Sequence, residues 1–73
     1  MRNIIFVRAD FYNSGVIVPV GITYDDGHTE FIHTISRYER INKGEREEIH
    51  VFRCITNKGE TRLVFDNTVW TIL

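Results

Sequence analysis

The last third of the chain predicts a β-meander. Between Cys54 and Trp70 the sequence alternates apolar and polar residues, and two turn-forming segments, Asn57-Lys58-Gly59 and Asp66-Asn67, interrupt the alternation. A period of two is the pattern of a strand with one buried face, and short segments containing Gly or Asn between such strands favour hairpins. We therefore predict that a strand at 48–56 is followed by two closing strands, at 60–65 and 68–73.

The first part of the chain also predicts strands. Residues 4–11 are rich in β-branched and aromatic side chains, which favour a strand. The next strand has apolar residues at every second position, which predicts one buried face: Val16, Val18, Val20, Ile22 and Tyr24. Pro19 cannot donate a ladder hydrogen bond, so we expect it at an edge or a β-bulge, with Gly21 nearby to permit the bend.

The middle of the chain contains one strong turn and one ambiguous segment. Asp25-Asp26-Gly27 predicts a hairpin into a third strand at 28–35, because Asp tolerates and Gly readily adopts positive φ angles. In the segment 36–46, Ser36 and Glu39 have the spacing of a helix capping box, yet the alternation also allows the strand to continue. We favour a bent extension of the strand, followed by a loop near residues 42–45.

These elements predict one all-β domain over residues 1–73. A short, flat sheet would expose one apolar face and two edges, so it should curl until its ends approach. We expect a small curled antiparallel sheet or an SH3-like barrel of five to six strands, with mostly nearest-neighbour topology.

The turn and core residues carry a resemblance over residues 16–72. The pattern comprises Pro19, Ile22, Tyr24, Asp26-Gly27, Ile32, Ile35, Cys54, Gly59-Glu60-Thr61, Leu63 and Trp70. It resembles a family of short uncharacterised proteins of Gram-positive bacteria, although Tyr24 stands where that family commonly has Trp. The resemblance implies a shared all-β fold, and it implies no activity and no catalytic residue, because a common fold does not by itself specify a function.

Size and charge narrow the classes of function. A chain of 73 residues has too little interior for the several hundred cubic ångströms of a buried ligand pocket. Its net charge of -1 gives no overall attraction to nucleic acids or acidic membranes. One cysteine, an apolar run of only Ile4 to Val7 near the N-terminus, and no membrane-spanning stretch predict a cytoplasmic protein without a membrane partner.

Residues with metal-binding or catalytic chemistry are few. His28, His33, His50 and Cys54 lack the paired spacing of a zinc site, so we predict no metal and no cofactor. Cys54 and His50 share a strand face, but four strand residues span about 13 Å, too far for a base to reach its nucleophile. We expect Cys54 to be a buried packing residue beside Phe52, and we expect no enzymatic activity and no catalytic residues.

Eight of the nine aromatic residues divide into two groups. We expect five of them to form the core of a small barrel rather than a stacking surface: Phe6, Phe31, Phe52, Phe65 and Trp70. Tyrosine is often half-exposed and serves both packing and recognition, so the positions of Tyr12, Tyr24 and Tyr38 stay open.

Two surfaces are candidate interaction sites. The segment 36–46 carries four basic and two acidic residues, and Arg37, Tyr38, Arg40, Lys43 and Arg46 have the composition of a site for single-stranded nucleic acid. The alternative is a solvated segment with weak surface ion pairs. The uncharged closing strand 68–73 either pairs with a protein partner or a second copy, or is covered by the first strand.

We therefore predict a non-enzymatic protein-interaction module, with self-association through the C-terminal strand as one route to a homodimer. The rival hypothesis is a nucleic-acid-binding accessory protein that uses residues 37–46.

Overall fold

The computed structural model describes residues 3–42, 44 and 48–73, and within these ranges the protein consists of strands without helices. The strands are β1 (Ile4–Phe11), β2 (Ile17–Tyr24), β3 (Thr29–Asn42), β4 (Glu48–Thr56), β5 (Gly59–Asp66) and β6 (Val69–Ile72). All neighbours are antiparallel and the order is β1-β2-β3-β4-β5-β6, so the predicted all-β class and the meander are confirmed. The described residues therefore contain no helix long and apolar enough to cross a membrane.

The β2–β3 turn lies where the sequence places it, and the β5–β6 turn lies one residue later than predicted. The β2–β3 hairpin closes with Tyr24 accepting a hydrogen bond from Gly27 N (3.0 Å) and donating one to His28 O (2.9 Å). Gly27 has a φ of 87°, the left-handed conformation that glycine adopts without steric cost. In the β5–β6 hairpin Asn67 and Thr68 form the two-residue turn, with φ angles of 49° and 67° that match the twist of the flanking strands.

The long strand β3 joins two parts of the sheet. Its first residues pair with β2, from Thr29 to Phe31, whereas Ile32 to Asn42 pair with β4. Register shifts after Ile32 and after Ile35 bend the strand between these two ladders. The predicted bent extension of β3 is thus confirmed as far as Asn42, and the helical alternative for Ser36 and Glu39 is wrong. Of the predicted loop and its surroundings, residues 43 and 45–47 lie outside the described residues.

A bulge in β2 explains why its predicted apolar face is only partly correct. Arg8 is paired with Gly21 and Ala9 with Pro19, so Val20 is an extra residue on β2. Pro19 therefore lies at a bulge, as predicted, and it is fully buried. The extra residue breaks the period of two: Ile22 and Tyr24 are buried, whereas Val16 is 53% exposed and lies before the strand begins.

The curled sheet is nearly closed around a small core. Its buried apolar residues are Ile22, Tyr24, Phe52, Cys54 and Leu63, and the partly buried residues Val7, Phe65, Trp70 and Ile72 pack against them. The sheet ends approach each other, because β1 and β6 are in contact although no ladder joins them. A hydrogen bond from Asp25 N to Asn3 O (2.9 Å) fixes the start of β1 to the β2–β3 turn.

Two of the five aromatic residues predicted for the core lie outside it. Phe52 is buried, and Phe65 and Trp70 pack against the core with their rings 4.6 Å apart. Phe6 and Phe31 are each 55% exposed, so their assignment to the core is wrong. The register shift between Ile4 and Phe6 gives one reason, because it turns the side chain of Phe6 to the outer face of the sheet.

Candidate functional site

The predicted basic segment is divided between the two faces of β3. Arg37 is paired with Arg53 on the outer face, whereas Tyr38 is paired with the buried Phe52 on the inner face. Arg40 is paired with the buried His50 and therefore shares the face of Tyr38. Because successive side chains alternate across a strand, Arg37 and Arg40 do not contribute to one surface. The other two predicted site residues, Lys43 and Arg46, lie outside the described residues.

Ion pairs reduce the positive charge of the outer face. Arg37 contacts Glu39 at 2.6 Å, and Arg53 contacts Glu60 at 3.3 Å. All four side chains are more than a third exposed, so the pairs contribute little to stability, but each places a carboxylate beside the guanidinium. This arrangement is the predicted alternative of a solvated segment with surface ion pairs, seen here for Arg37.

Tyr38 is the predicted site residue with the most defined geometry. Its hydroxyl lies 2.6 Å from Nδ1 of His50, and its ring stacks on the imidazole with 5.9 Å between ring centroids. The ring also contacts Phe52, at 5.1 Å. These contacts hold Tyr38 against the inner face, although the residue remains 48% exposed. Tyr38 therefore combines packing with an accessible ring.

Sequence reasoning missed His50 as the partner of Tyr38. The imidazole is 7% exposed, and its Nε2 lies 3.6 Å from Glu48 Oε2, longer than a hydrogen bond. The strand register indicates this contact. If β3 continues past residue 36, the β3–β4 hairpin pairs Tyr38 with Phe52, which is two residues from His50 on the same face of β4. The His50 imidazole thus lies between the Tyr38 hydroxyl and the Glu48 carboxylate. The 2.6 Å contact with the hydroxyl orients the histidine ring.

Cys54 is confirmed as a buried residue next to Phe52 on the strand. Its side chain is fully buried, and burial raises the pKa of the thiol from 9.0 to about 11. The thiolate is the nucleophilic form of cysteine, and desolvation disfavours it. A buried thiol with this pKa is unreactive at neutral pH.

The histidines and acidic residues of the described ranges do not converge on a metal-binding geometry. No group of three His, Cys, Asp or Glu side chains in these ranges could hold a metal ion. His28 instead pairs with Asp26 at 3.0 Å, inside the turn, where Asp26 Oδ1 also accepts a hydrogen bond from His28 N.

A buried carboxylate that the sequence did not reveal connects the two parts of the sheet. Glu30 is 3% exposed on β3, and its Oε2 lies 3.5 Å from the hydroxyls of both Thr56 and Thr61. Nearby, Asn57 exchanges hydrogen bonds with the backbone of Phe31, at 2.9 and 3.2 Å. Every buried side-chain nitrogen and oxygen of the described residues has a partner, so this polar cluster is satisfied.

The edge of β6 is one of the two unpaired edges of the sheet that the described residues form, and the other is that of β1. Within the described ranges β6 pairs only with β5, and Leu73 N donates to Arg62 O at 3.1 Å. Because amide directions alternate along a strand, the backbone groups of Trp70 and Ile72 point away from β5. A groove of about 570 Å³ runs along this edge, lined by Asn3, Ile4 and residues 69–73.

A search of protein-family models, of curated proteins and of solved structures finds no significant match to this chain. The resemblance to short proteins of Gram-positive bacteria therefore stays a prediction.

Proposed function

We propose that the protein is a non-enzymatic interaction module that self-associates through the edge of β6. The observation that carries this proposal is the open ladder: the outward backbone groups of Trp70 and Ile72 belong to no ladder in the described part of the chain, although β1 is in contact with β6. An exposed strand edge is a template for pairing with another strand.

The composition of the edge supports pairing. Natural sheets usually protect an edge with charged residues, proline or a bulge, and β6 reads Val-Trp-Thr-Ile without any of these. Val69 is 60% exposed and Leu73 is 73% exposed, so pairing would also cover apolar surface. Self-association would also compensate for the small core, because a dimer enlarges the buried interior of a short chain.

A two-fold pair centred on Thr71 fits the backbone pattern. In that register Trp70 of each copy is opposite Ile72 of the other, and these pairs exchange the outward hydrogen bonds. Thr71 then faces its own copy across a closely spaced pair, with about 4.5 Å between Cα atoms. Like charges placed directly opposite in this position destabilise the pair.

Light scattering during size-exclusion chromatography tests the proposal. We expect a dimer for the unmodified protein and a monomer for Thr71→Lys, with Thr34→Lys on the exposed part of β3 as the matched control that stays dimeric. Oxidation of Thr71→Cys should give a disulfide-linked dimer, since Cys54 is buried and unreactive. A monomer at all concentrations, or no cross-link for Thr71→Cys, would contradict self-association at this edge.

The alternative, a nucleic-acid-binding accessory protein that uses residues 37–46, has weaker support. Arg37 and Arg40 lie on opposite faces of β3, and Glu39 is within 2.6 Å of Arg37.

A cytoplasmic location belongs to the same proposal as the interaction module. The single buried thiol of Cys54 supports it, because a protein of an oxidising compartment commonly carries paired cysteines.

A further inference from the structure

Two exposed phenylalanines lie on the outer face of the sheet, and neither lines the groove along the β6 edge. Phe6 on β1 and Phe31 on β3 line one groove of about 220 Å³ with Arg8, Gly21, Thr23 and Thr29. Each ring is 55% exposed, although burying a phenylalanine stabilises a protein by about 1.5–3 kcal/mol. A chain with so small a core therefore leaves two of its largest apolar side chains outside it.

The glycine between the rings keeps the groove open. Gly21 is paired with Arg8 on one side and with Phe31 on the other, while Phe6 is one ladder step away, opposite Thr23. An added Cβ at Gly21 would meet only Glu30 O, at 3.6 Å, an ordinary contact, and Gly21 does not have a positive φ. Neither packing nor backbone conformation therefore requires glycine at this position. Because Gly21 has no side chain, the sheet surface between the two rings is flat and open, and this surface forms the floor of the groove.

The other lining residues are polar. Arg8 is the charged residue of the groove and is positive, and Thr23 and Thr29 add hydroxyl groups. An apolar docking site for another protein typically has a continuous apolar centre, whereas this one has two rings separated by backbone. Aromatic rings on a sheet surface with a neighbouring arginine are the combination that stacks nucleobases and contacts the phosphate between them.

We propose that this outer platform, formed by Phe6, Arg8, Gly21 and Phe31, binds single-stranded nucleic acid. Bases stack on Phe6 and Phe31, the strand passes over Gly21, and Arg8 contacts a phosphate. The platform is separate from residues 37–46 and from the β6 edge, so the proposal goes beyond self-association and does not depend on it. With one arginine in the groove and a net charge of -1, binding is weak and depends on stacking more than on charge.

Fluorescence anisotropy with labelled single-stranded oligothymidylate and oligouridylate, at low salt, tests the proposal. We expect saturable binding, and an affinity about 10-fold lower after Phe6→Ala or Phe31→Ala, in line with the loss of one stacked base. Tyr12→Ala is the matched control, because Tyr12 is also 55% exposed but lies outside the groove, and it should leave the affinity unchanged. Arg8→Gln should lower the slope of log affinity against log salt by about 0.7.

Two further variants separate stacking from apolar contact and from misfolding. Phe6→Leu and Phe31→Leu keep most of the apolar volume, preserve the thermal transition and remove the ring, so stacking predicts weakened binding in both. No binding to either oligonucleotide, unchanged affinity in the leucine variants, or an equal loss with Tyr12→Ala would overturn the proposal. Unlabelled duplex should compete poorly, because its bases are already stacked, and equal competition by duplex would also overturn it.

Discussion

The hydroxyl of Tyr38 lies 2.6 Å from Nδ1 of His50, across the β3–β4 ladder. The contact joins an exposed residue of a long strand to an imidazole that is almost completely buried. It links the second half of β3 to the aromatic cluster inside the sheet, which consists of His50, Phe52, Phe65 and Trp70.

Removal of this hydroxyl should destabilise the protein. Tyr38→Phe keeps the ring stacked but leaves Nδ1 of the buried histidine without its partner, which costs about 1–3 kcal/mol. Urea denaturation measures the change in the free energy of unfolding. Tyr12→Phe is the control, because Tyr12 is exposed, and an equal effect in both variants would show that the contact with His50 contributes nothing.

Removal of the buried carboxylate of Glu30 should destabilise the protein more than removal of an exposed carboxylate. Glu30→Ala removes the group between Thr56 and Thr61 and leaves a polar cavity, so we expect a loss of about 2 kcal/mol or more. Glu60→Ala removes only an exposed pair with Arg53 and should cost less than about 1 kcal/mol. Thermal denaturation compares the two variants, and a smaller effect for Glu30→Ala would contradict the structural role assigned to the cluster.

The buried thiol should make stability depend on alkaline pH. The pKa of Cys54 is raised from 9.0 to about 11 in the folded protein, so the folded state holds this proton more tightly than the unfolded chain. That contribution is complete below pH 9 and is lost as the pH rises from 9 to 11. We expect the free energy of unfolding to fall over this range, and to fall less in Cys54→Ala. A parallel decline in both proteins would rule out Cys54 as the cause.

The same thiol should be protected from reagents. In the native protein Cys54 should react with a disulfide reagent only as fast as the protein unfolds, because it is fully buried. Adding urea should accelerate the reaction in step with loss of structure measured by circular dichroism. Rapid reaction without denaturant would show that the side chain is accessible.

Alanine should be tolerated at Gly21 and destabilising at Gly27. Gly21→Ala adds a methyl group in ordinary contact with Glu30 O and reduces the freedom of the unfolded chain, so stability should be unchanged or higher by up to about 1 kcal/mol. Gly27 has a φ of 87°, and alanine there should cost about 1–2 kcal/mol. Chemical denaturation of both variants checks the signs, and a strong loss at Gly21 would contradict the open floor of the outer platform.

Turn chemistry and alternation were sufficient to predict the meander. Asp25-Asp26-Gly27 and Asp66-Asn67 indicate two hairpins, the second to within one residue, and Phe52 is buried as expected. These features are local, so the sequence contains them directly. Even the favoured extension of β3 follows from the same alternation.

Bulges account for most of what the sequence did not predict. Each register shift moves the residues beyond it to the other face; Pro19 predicted the shift beside Val20, whereas no local pattern marked the shift beside Phe6. Glu30 was missed because its threonine neighbours come from β4 and β5, which no local pattern brings together. The division of Arg37 and Arg40 between two faces was accessible, since residues three apart on a strand point in opposite directions.

The nearest-neighbour order of the six strands has a consequence for how the chain folds. Every ladder joins segments adjacent in sequence, so each hairpin can form before the next one and only short loops must close. The β3–β4 and β4–β5 ladders are long, and the β4–β5 ladder is regular in pairing, whereas β2 and β3 share only the pairs from Gly21 to Thr23. We expect the unit from β3 to β6 to form first and the β1–β2 hairpin to dock onto it last, with amide protection appearing in that order during refolding.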